Sequence, residues 1–187
     1  MAAVGASCVN EKSPGARAVE AFQIEDVFLV ASACWVARDL NTQAPITEFA
    51  YGFRSNVETE VLVQERADAS GENSFFVLRY YVKAEVRLLK PGIQASKPED
   101  YADENTLAAL QFTVATDYRG PQELVKDQVV IGAFSRNAHF HAWPYLREEV
   151  HATCSRLRVP RVTLPLLKPN QLGTATDMQA VQRPARE

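Results

Sequence analysis

Three histidines, His139, His141 and His151, are the residues whose type and spacing most directly suggest chemistry. A His-x-His pair is a common arrangement of zinc ligands. No Asp, Glu or Cys accompanies that pair at ligand spacing, and the Ser, His and Asp residues of the chain form no recognised nucleophile motif. We therefore expect surface histidines that flank the start of a helix. We expect no catalytic residue, no metal and no cofactor, and the protein is predicted not to be an enzyme.

The cysteines support the same conclusion. Cys8, Cys34 and Cys154 are odd in number, widely separated and without a Cys-x-x-Cys pair. Disulfide frameworks use paired cysteines, and structural zinc sites use closely spaced ones. The pattern therefore predicts three reduced thiols.

The charge balance of the 187-residue chain argues against a nucleic-acid-binding protein. Its net charge is -3 and it contains no block of Lys or Arg, whereas nucleic-acid binders usually carry a basic patch that releases phosphate counterions. The N-terminus has neither the basic region nor the apolar run of a secretory signal, and no apolar stretch approaches the ~20 residues of a membrane span. We expect a cytoplasmic protein.

Four strands are the first elements that the sequence predicts, and they would position any functional site. Apolar residues alternate with polar ones in four runs, and turn-forming residues separate the runs. In the first run, one face is predicted to carry Val27, Leu29, Ala31, Ala33 and Trp35. The four predicted strands cover residues 22–37, 49–64, 76–88 and 107–119.

Two helices are predicted after the strands. Pro144 suits the first position of a helix, and Pro160 can end it, so the second helix is expected over residues 144–159. Leu146 and Val150 belong to a narrow apolar stripe on this helix, which indicates that it lies on a flat apolar surface. A less regular pattern predicts the first helix over residues 122–137.

The order ββββαα predicts an α+β domain, in which a four-stranded antiparallel sheet carries two C-terminal helices on one face. The domain is expected to span residues 21–167, with a flexible N-terminal tail over residues 1–20 and a disordered C-terminal tail over residues 168–187. The uncovered sheet face is predicted to be partly apolar, and self-association is the expected way to cover it. The residues that suggest this are Phe28, Val30, Phe75, Val77 and Tyr81.

Four short motifs resemble those of SecB, the bacterial export chaperone, and its SecB-like relatives. These motifs are FQIEDVFLVASACW in the first strand, IGAF at residues 131–134, PYLREEV at residues 144–150 and VPRVTLP at residues 159–165. The resemblance implies a SecB-like fold and a homotetramer built as a dimer of dimers. It also implies a holdase that binds unfolded polypeptides in apolar grooves, without nucleotide or metal.

The resemblance further implies where clients bind. The crossover loop at residues 38–47 and several apolar side chains would line the groove, and the alternative for each side chain is packing in the core. The implied client-binding residues are Trp35, Phe49, Tyr51, Trp143, Tyr145, Leu146 and Val150.

SecA, the motor of protein export, is the partner that the resemblance supports least. Export chaperones dock SecA through acidic residues, and the matching positions here are Ala31, Trp35, Gln111 and Thr113. An electrostatic dock without its charges is expected to be weak. Some SecB-like relatives instead protect an unstable antitoxin, which leaves a chaperone dedicated to one client as an alternative. A small module that binds an apolar ligand in a closed pocket is another, and an adaptor for one folded partner is a third.

Overall fold

A five-stranded antiparallel sheet carries one long helix across one of its faces. The computed structural model describes residues 12–40, 49–67, 74–167 and 175–182. Two short 3-10 turns, Pro98–Tyr101 and Asp103–Asn105, lie between the third and fourth strands. The elements are α1 (Pro14–Ala21), β1 (Gln23–Val36), β2 (Ala50–Ala67), β3 (Ser74–Leu89), β4 (Thr106–Gly120), α2 (Gln122–Val125), α3 (Gln128–Leu157) and β5 (Ala175–Gln182).

The strands lie in the order β1-β4-β3-β2-β5. The α+β class and the antiparallel sheet are confirmed, but the predicted count of four strands was wrong. β2, β3 and β4 form a meander, whereas β1 pairs with β4, so the chain crosses the sheet between β1 and β2. This non-local pairing leaves β1 at one edge, with β5 at the other.

The prediction of two helices of similar length, over residues 122–137 and 144–159, was also wrong. α2 is a single turn, and α3 is a continuous helix of 30 residues with Pro144 inside it. Asp127 begins α3, because its carboxylate accepts the backbone N–H groups of Val129 and Val130 at 2.9 and 3.3 Å. Pro144 lies on the exposed face of α3, where water can reach the carbonyl group that loses its helical donor. Arg158 ends α3 in the left-handed conformation, at φ 56°.

Two elements lie within the segments for which tails were predicted. α1 begins at Pro14, is capped by Ser13 and buries Ala18. Phe22, immediately after α1, packs against Phe134 with ring centroids 5.0 Å apart. β5 pairs with the first residues of β2. Both elements form because α3 and the edge of β2 offer a complementary surface that the composition of the tails could not reveal.

The main core lies between the sheet and α3. The strands contribute side chains that alternate along each strand, and α3 contributes its inward stripe. Tyr80 is fully buried, and its hydroxyl donates a hydrogen bond of 2.8 Å to the carbonyl of Ile131. Full burial of one such side chain contributes about 1.5–3 kcal/mol. The α3 residues of this core include Ile131, Phe134, Ala138, Ala142, Trp143, Leu146, Val150 and Cys154.

The outer face of the sheet, opposite α3, carries charged side chains at its centre. Asp117 is buried and accepts hydrogen bonds of 2.6 and 2.7 Å from the guanidinium group of Arg79. Glu85 is buried between Arg54 and Arg87. Although burial raises the pKa of Glu85, hydrogen bonds from these two arginines lower it below its usual range.

Three of the apolar residues predicted for this outer face, Phe28, Phe75 and Val77, are covered within the chain, whereas Val30 is exposed. The guanidinium group of Arg79 lies 5.0 Å from the ring centroid of Phe28, and that of Arg119 lies 4.0 Å from the centroid of Phe75. Val77 is buried. Arginine side chains can cover aromatic surface in this way while they keep their charge near water. The centre of the outer face therefore does not need a second subunit to cover it.

Candidate functional site

Most of the seven implied client-binding residues lie in one region, and two lie apart from it. We call this region the covered groove: it lies between β2 and α3, beneath residues 158–167, and is formed by Tyr51, Trp143, Leu146 and Val150. We call the side of β1 that pairs with no other described strand the open edge. Trp35 lies on this edge strand, and Tyr145 lies on α3. The structure thus separates residues that the resemblance placed in one groove.

Two aromatic side chains hold the backbone of the covering segment. The hydroxyl of Tyr51 donates to the carbonyl of Thr163 at 2.8 Å, and Nε1 of Trp143 donates to the carbonyl of Pro165 at 2.8 Å. Trp143 is only 3% exposed and packs against Phe53, with ring centroids 5.7 Å apart. Buried indole and phenol groups need such partners. The carbonyl groups of residues 163 and 165 provide them.

The covering segment runs in an extended form with alternate side chains turned inward. Val162 and Leu164 are fully buried in the same core as Trp143, whereas Arg161 and Thr163 are exposed. The resemblance included this segment as a motif but assigned it no part of the site. Its alternation of apolar and polar residues is the signal that could have identified it.

Cys154 lies beneath the covering segment. Its thiol is buried within hydrogen-bonding distance of the backbone of Val162. Burial raises the pKa of this thiol, which keeps it protonated at neutral pH. Cys34 is free and exposed on β1, so the two described cysteines are unpaired, as predicted. Cys8 lies outside the described residues.

Phe49 lies at the entrance of the covered groove. It is half-buried and stacks on Tyr51 with ring centroids 6.4 Å apart. The implied crossover loop can be placed only in part, because residues 41–48 lie outside the described residues. Leu40 precedes this gap and packs against the same core.

His139 adds a polar contact to the floor of the covered groove. Its Nε2 lies 3.0 Å from Oγ of Ser55, and its ring lies 5.6 Å from that of Trp143. Burial lowers the pKa of His139 to about 4, so the imidazole is neutral at pH 7. The prediction of a surface histidine was therefore wrong at this position, because α3 runs through it instead of starting near it.

The other two histidines are placed differently. Nδ1 of His141 lies 2.7 Å from the hydroxyl of Tyr118, and burial lowers the pKa of His141 below its usual range. His151 is exposed. Among residues 12–40, 49–67, 74–167 and 175–182, no group of three or more His, Cys, Asp or Glu side chains could hold a metal ion.

The open edge exposes apolar side chains on a strand with one unpaired side. Ile24, Leu29 and Val30 are between 41% and 49% exposed. The pairing of β1 with β4 shifts between Leu29 and Ala31, so Leu29 pairs with Val114 on the α3 side, whereas Ala31 pairs with Thr113 on the outer face. The single apolar face predicted for β1 is therefore split into two.

Trp35 and Tyr145 lie on opposite faces of the sheet. Trp35 pairs with Ala109 on the outer face and is 39% exposed. Tyr145 is 47% exposed and lies one helical turn after His141, on the side of α3 that faces β4. These two residues remain predicted client contacts, but they cannot contribute to one groove within a single chain.

The four positions implied for SecA docking are uncharged and lie on β1 and β4. Gln111 and Thr113 also line a depression of about 460 Å³ on the outer face, together with Arg54, Lys83 and Glu85. This depression is open and lined mainly by charged and polar residues, unlike the enclosed apolar pocket expected of a small-ligand binder. None of the described helices is both long and apolar enough to cross a membrane.

Comparisons with known proteins identify a structural relative. No protein-family model matches this sequence, and no curated protein sequence matches it either. A solved structure from Mycobacterium tuberculosis, described as a SecB-like chaperone in complex with a ChAD peptide from an antitoxin, is 19% identical in sequence. The match covers 83% of this chain and 96% of that chain, with a TM-score of 0.59. This chain therefore has the fold of a SecB-like chaperone.

Proposed function

We propose that this protein is a SecB-like molecular chaperone that holds unfolded polypeptides in an apolar groove. One observation carries the proposal: the covered groove binds an extended apolar segment through its backbone carbonyl groups and two alternate side chains. A site that binds backbone groups can accept many sequences, which is what a holdase requires. The likeness in fold supports the proposal.

Self-association is part of this proposal, and the open edge supports it. An edge strand with exposed Ile24, Leu29 and Val30 is a surface on which another strand can pair. We propose a dimer or a tetramer in which this edge is covered, in the cytoplasm. The variant Leu29→Lys should reduce the particle mass, because a charge would be buried without a partner. Glu65→Lys, on an exposed residue of β2 away from this edge, should leave the mass unchanged.

Dedication to one client, such as an antitoxin, is the alternative form of this function. The structural relative was solved with a peptide from an antitoxin. The positions implied for SecA docking carry no charge here, so export through SecA has less support. The direct comparison is binding to purified SecA and to a purified antitoxin.

The decisive test is suppression of aggregation, combined with light scattering to measure the particle mass. A guanidine-unfolded protein diluted into buffer should stay soluble when the chain is present at a stoichiometric amount. Phe49→Ala should weaken this suppression without unfolding the chain, because Phe49 lies at the entrance of the covered groove and is only half-buried. A monomer that has no effect on aggregation would exclude the chaperone function despite the fold.

A further inference from the structure

We infer, on the basis of the proposed function, that residues 158–167 occupy the client site and that clients must displace them. The covered groove would then be a polypeptide-binding site that the chain fills with its own segment. Its preferred ligand is an extended stretch with aliphatic side chains at two positions separated by one residue. We call residues 158–167 the internal ligand.

The hydrogen bonds of the covered groove are made to the backbone of the internal ligand, so they do not depend on its sequence. Tyr51 and Trp143 donate hydrogen bonds to the carbonyl groups of Thr163 and Pro165, which are two residues apart. In an extended chain, carbonyl groups two residues apart point in the same direction. Any extended polypeptide could present carbonyl groups to these two donors.

The side chains of the internal ligand define the chemistry of the client. Val162 and Leu164 fill the groove, while Thr163 between them is exposed. Pro165 contributes a carbonyl group and has no N–H to offer. A client segment should therefore carry aliphatic residues at positions i and i+2, and it can contain proline at position i+3.

The internal ligand is attached in a way that allows it to leave. It belongs to no helix or strand, and residues 159–167 have no regular secondary structure. Backbone hydrogen bonds join only its first two residues to the last turn of α3, and side chains hold Thr163 and Pro165, whereas β5 is held by a backbone ladder. Arg158, where the segment begins, has a φ of 56°, a conformation that few residues other than glycine adopt. This residue is a natural place for the backbone to turn when the segment detaches.

Competition should lower the apparent affinity for clients. The internal ligand is tethered directly to α3, so its effective concentration at the groove is high, on the order of mM for a short tether. A client must therefore bind a groove that is free only for a fraction of the time. A change that weakens only the internal ligand should make clients bind more tightly.

The first experiment weakens the internal ligand without changing the walls of the groove. The variant carries Val162→Ala and Leu164→Ala, and the matched control carries Thr163→Ala, whose side chain is exposed and whose carbonyl group remains. The probe is fluorescently labelled α-lactalbumin, kept unfolded by reduction and alkylation. We expect the double variant to bind about tenfold more tightly than wild type, while the control binds as wild type does. If the folded double variant bound the probe equally or more weakly than wild type, the internal ligand would not compete with clients, and the inference would be overturned.

The second experiment needs no change in the core, so it decides the question even if the double variant does not fold. A spin label is placed at Thr163→Cys in a chain that also carries Cys8→Ser and Cys34→Ser. Cys154 is buried beneath the segment, and a parallel sample without Thr163→Cys measures any label that it takes up. Saturation with the same unfolded probe should raise the mobility of the label. An unchanged spectrum with the probe bound would show that clients bind elsewhere and would overturn the inference while the chaperone function stands. If no form of the chain binds the probe, the proposed function itself fails.

Discussion

The covered groove and the open edge are both apolar, but among the described residues only the groove is filled by another segment of the same chain. In the groove, the backbone of residues 158–167 accepts hydrogen bonds from Tyr51 and Trp143, and its side chains complete the core. At the edge, Leu29 and Val30 remain exposed on the side of β1 that pairs with no other described strand. Apolar composition alone therefore does not distinguish a surface that the chain fills with its own segment from one that it leaves open. What distinguishes them is whether another part of the same chain reaches the surface.

The two tryptophans test this comparison most strongly. Trp143→Ala should lower the free energy of unfolding by about 3–5 kcal/mol, because it removes a buried ring and leaves a cavity. Trp35→Ala should lower it by only about 1 kcal/mol, because the ring of Trp35 is partly exposed. Urea denaturation followed by circular dichroism measures both values. If the two variants lost similar free energies of unfolding, Trp35 would contribute as much to stability as Trp143. The groove and the edge would then not differ as described.

The pH dependence of the free energy of unfolding should also distinguish a buried histidine of the covered groove from an exposed histidine. Burial holds the pKa of His139 at about 4, below its ordinary value of 6.5. The unfolded chain binds a proton at this residue before the folded chain does, so the stability present above pH 6.5 is lost as the pH falls toward 4. Between pH 7.5 and 5.5, this one residue should lower the free energy of unfolding by about 1.4 kcal/mol.

His139→Gln and His151→Gln are the matched variants for this measurement. The glutamine at position 139 does not titrate, so urea denaturation at the two pH values should show a smaller decrease than in wild type. His151 is exposed, and its replacement should leave the decrease unchanged. If both variants keep the decrease of the wild type, another group is responsible for it.

Much of the fold could be predicted from local patterns in the sequence. Alternation of apolar and polar residues placed β2, β3 and β4, and the end of α3 was predicted within about two residues. The position of β1 beside β4 could not be predicted in this way, because strand pairing depends on contacts far apart in sequence. Pro144 gave a wrong helix start, because tertiary packing carries α3 through a residue that usually begins a helix.

The candidate site was harder to predict than the fold. The resemblance supplied Tyr51 and Trp143, and the structure places both in one groove. Their burial could not be predicted, because it depends on where residues 158–167 return to the sheet. The bulge in β1 likewise moved Leu29 and Ala31 to different faces, and no residue type in that strand marks the shift.

The smallest predicted effect isolates one hydrogen bond of the covered groove. Tyr51→Phe removes the donor to the carbonyl of Thr163 while the ring stays in the core, and it should lower the free energy of unfolding by about 1 kcal/mol. Tyr145→Phe is the matched control, because Tyr145 is exposed and its change should stay within about 0.5 kcal/mol. Hydrogen exchange should also become faster in residues 158–167 of Tyr51→Phe, and not in the control. Faster exchange in Tyr51→Phe with little loss of global stability would mean that residues 158–167 open on their own. Equal exchange in both variants would mean that the hydrogen bond from Tyr51 does not hold these residues in place.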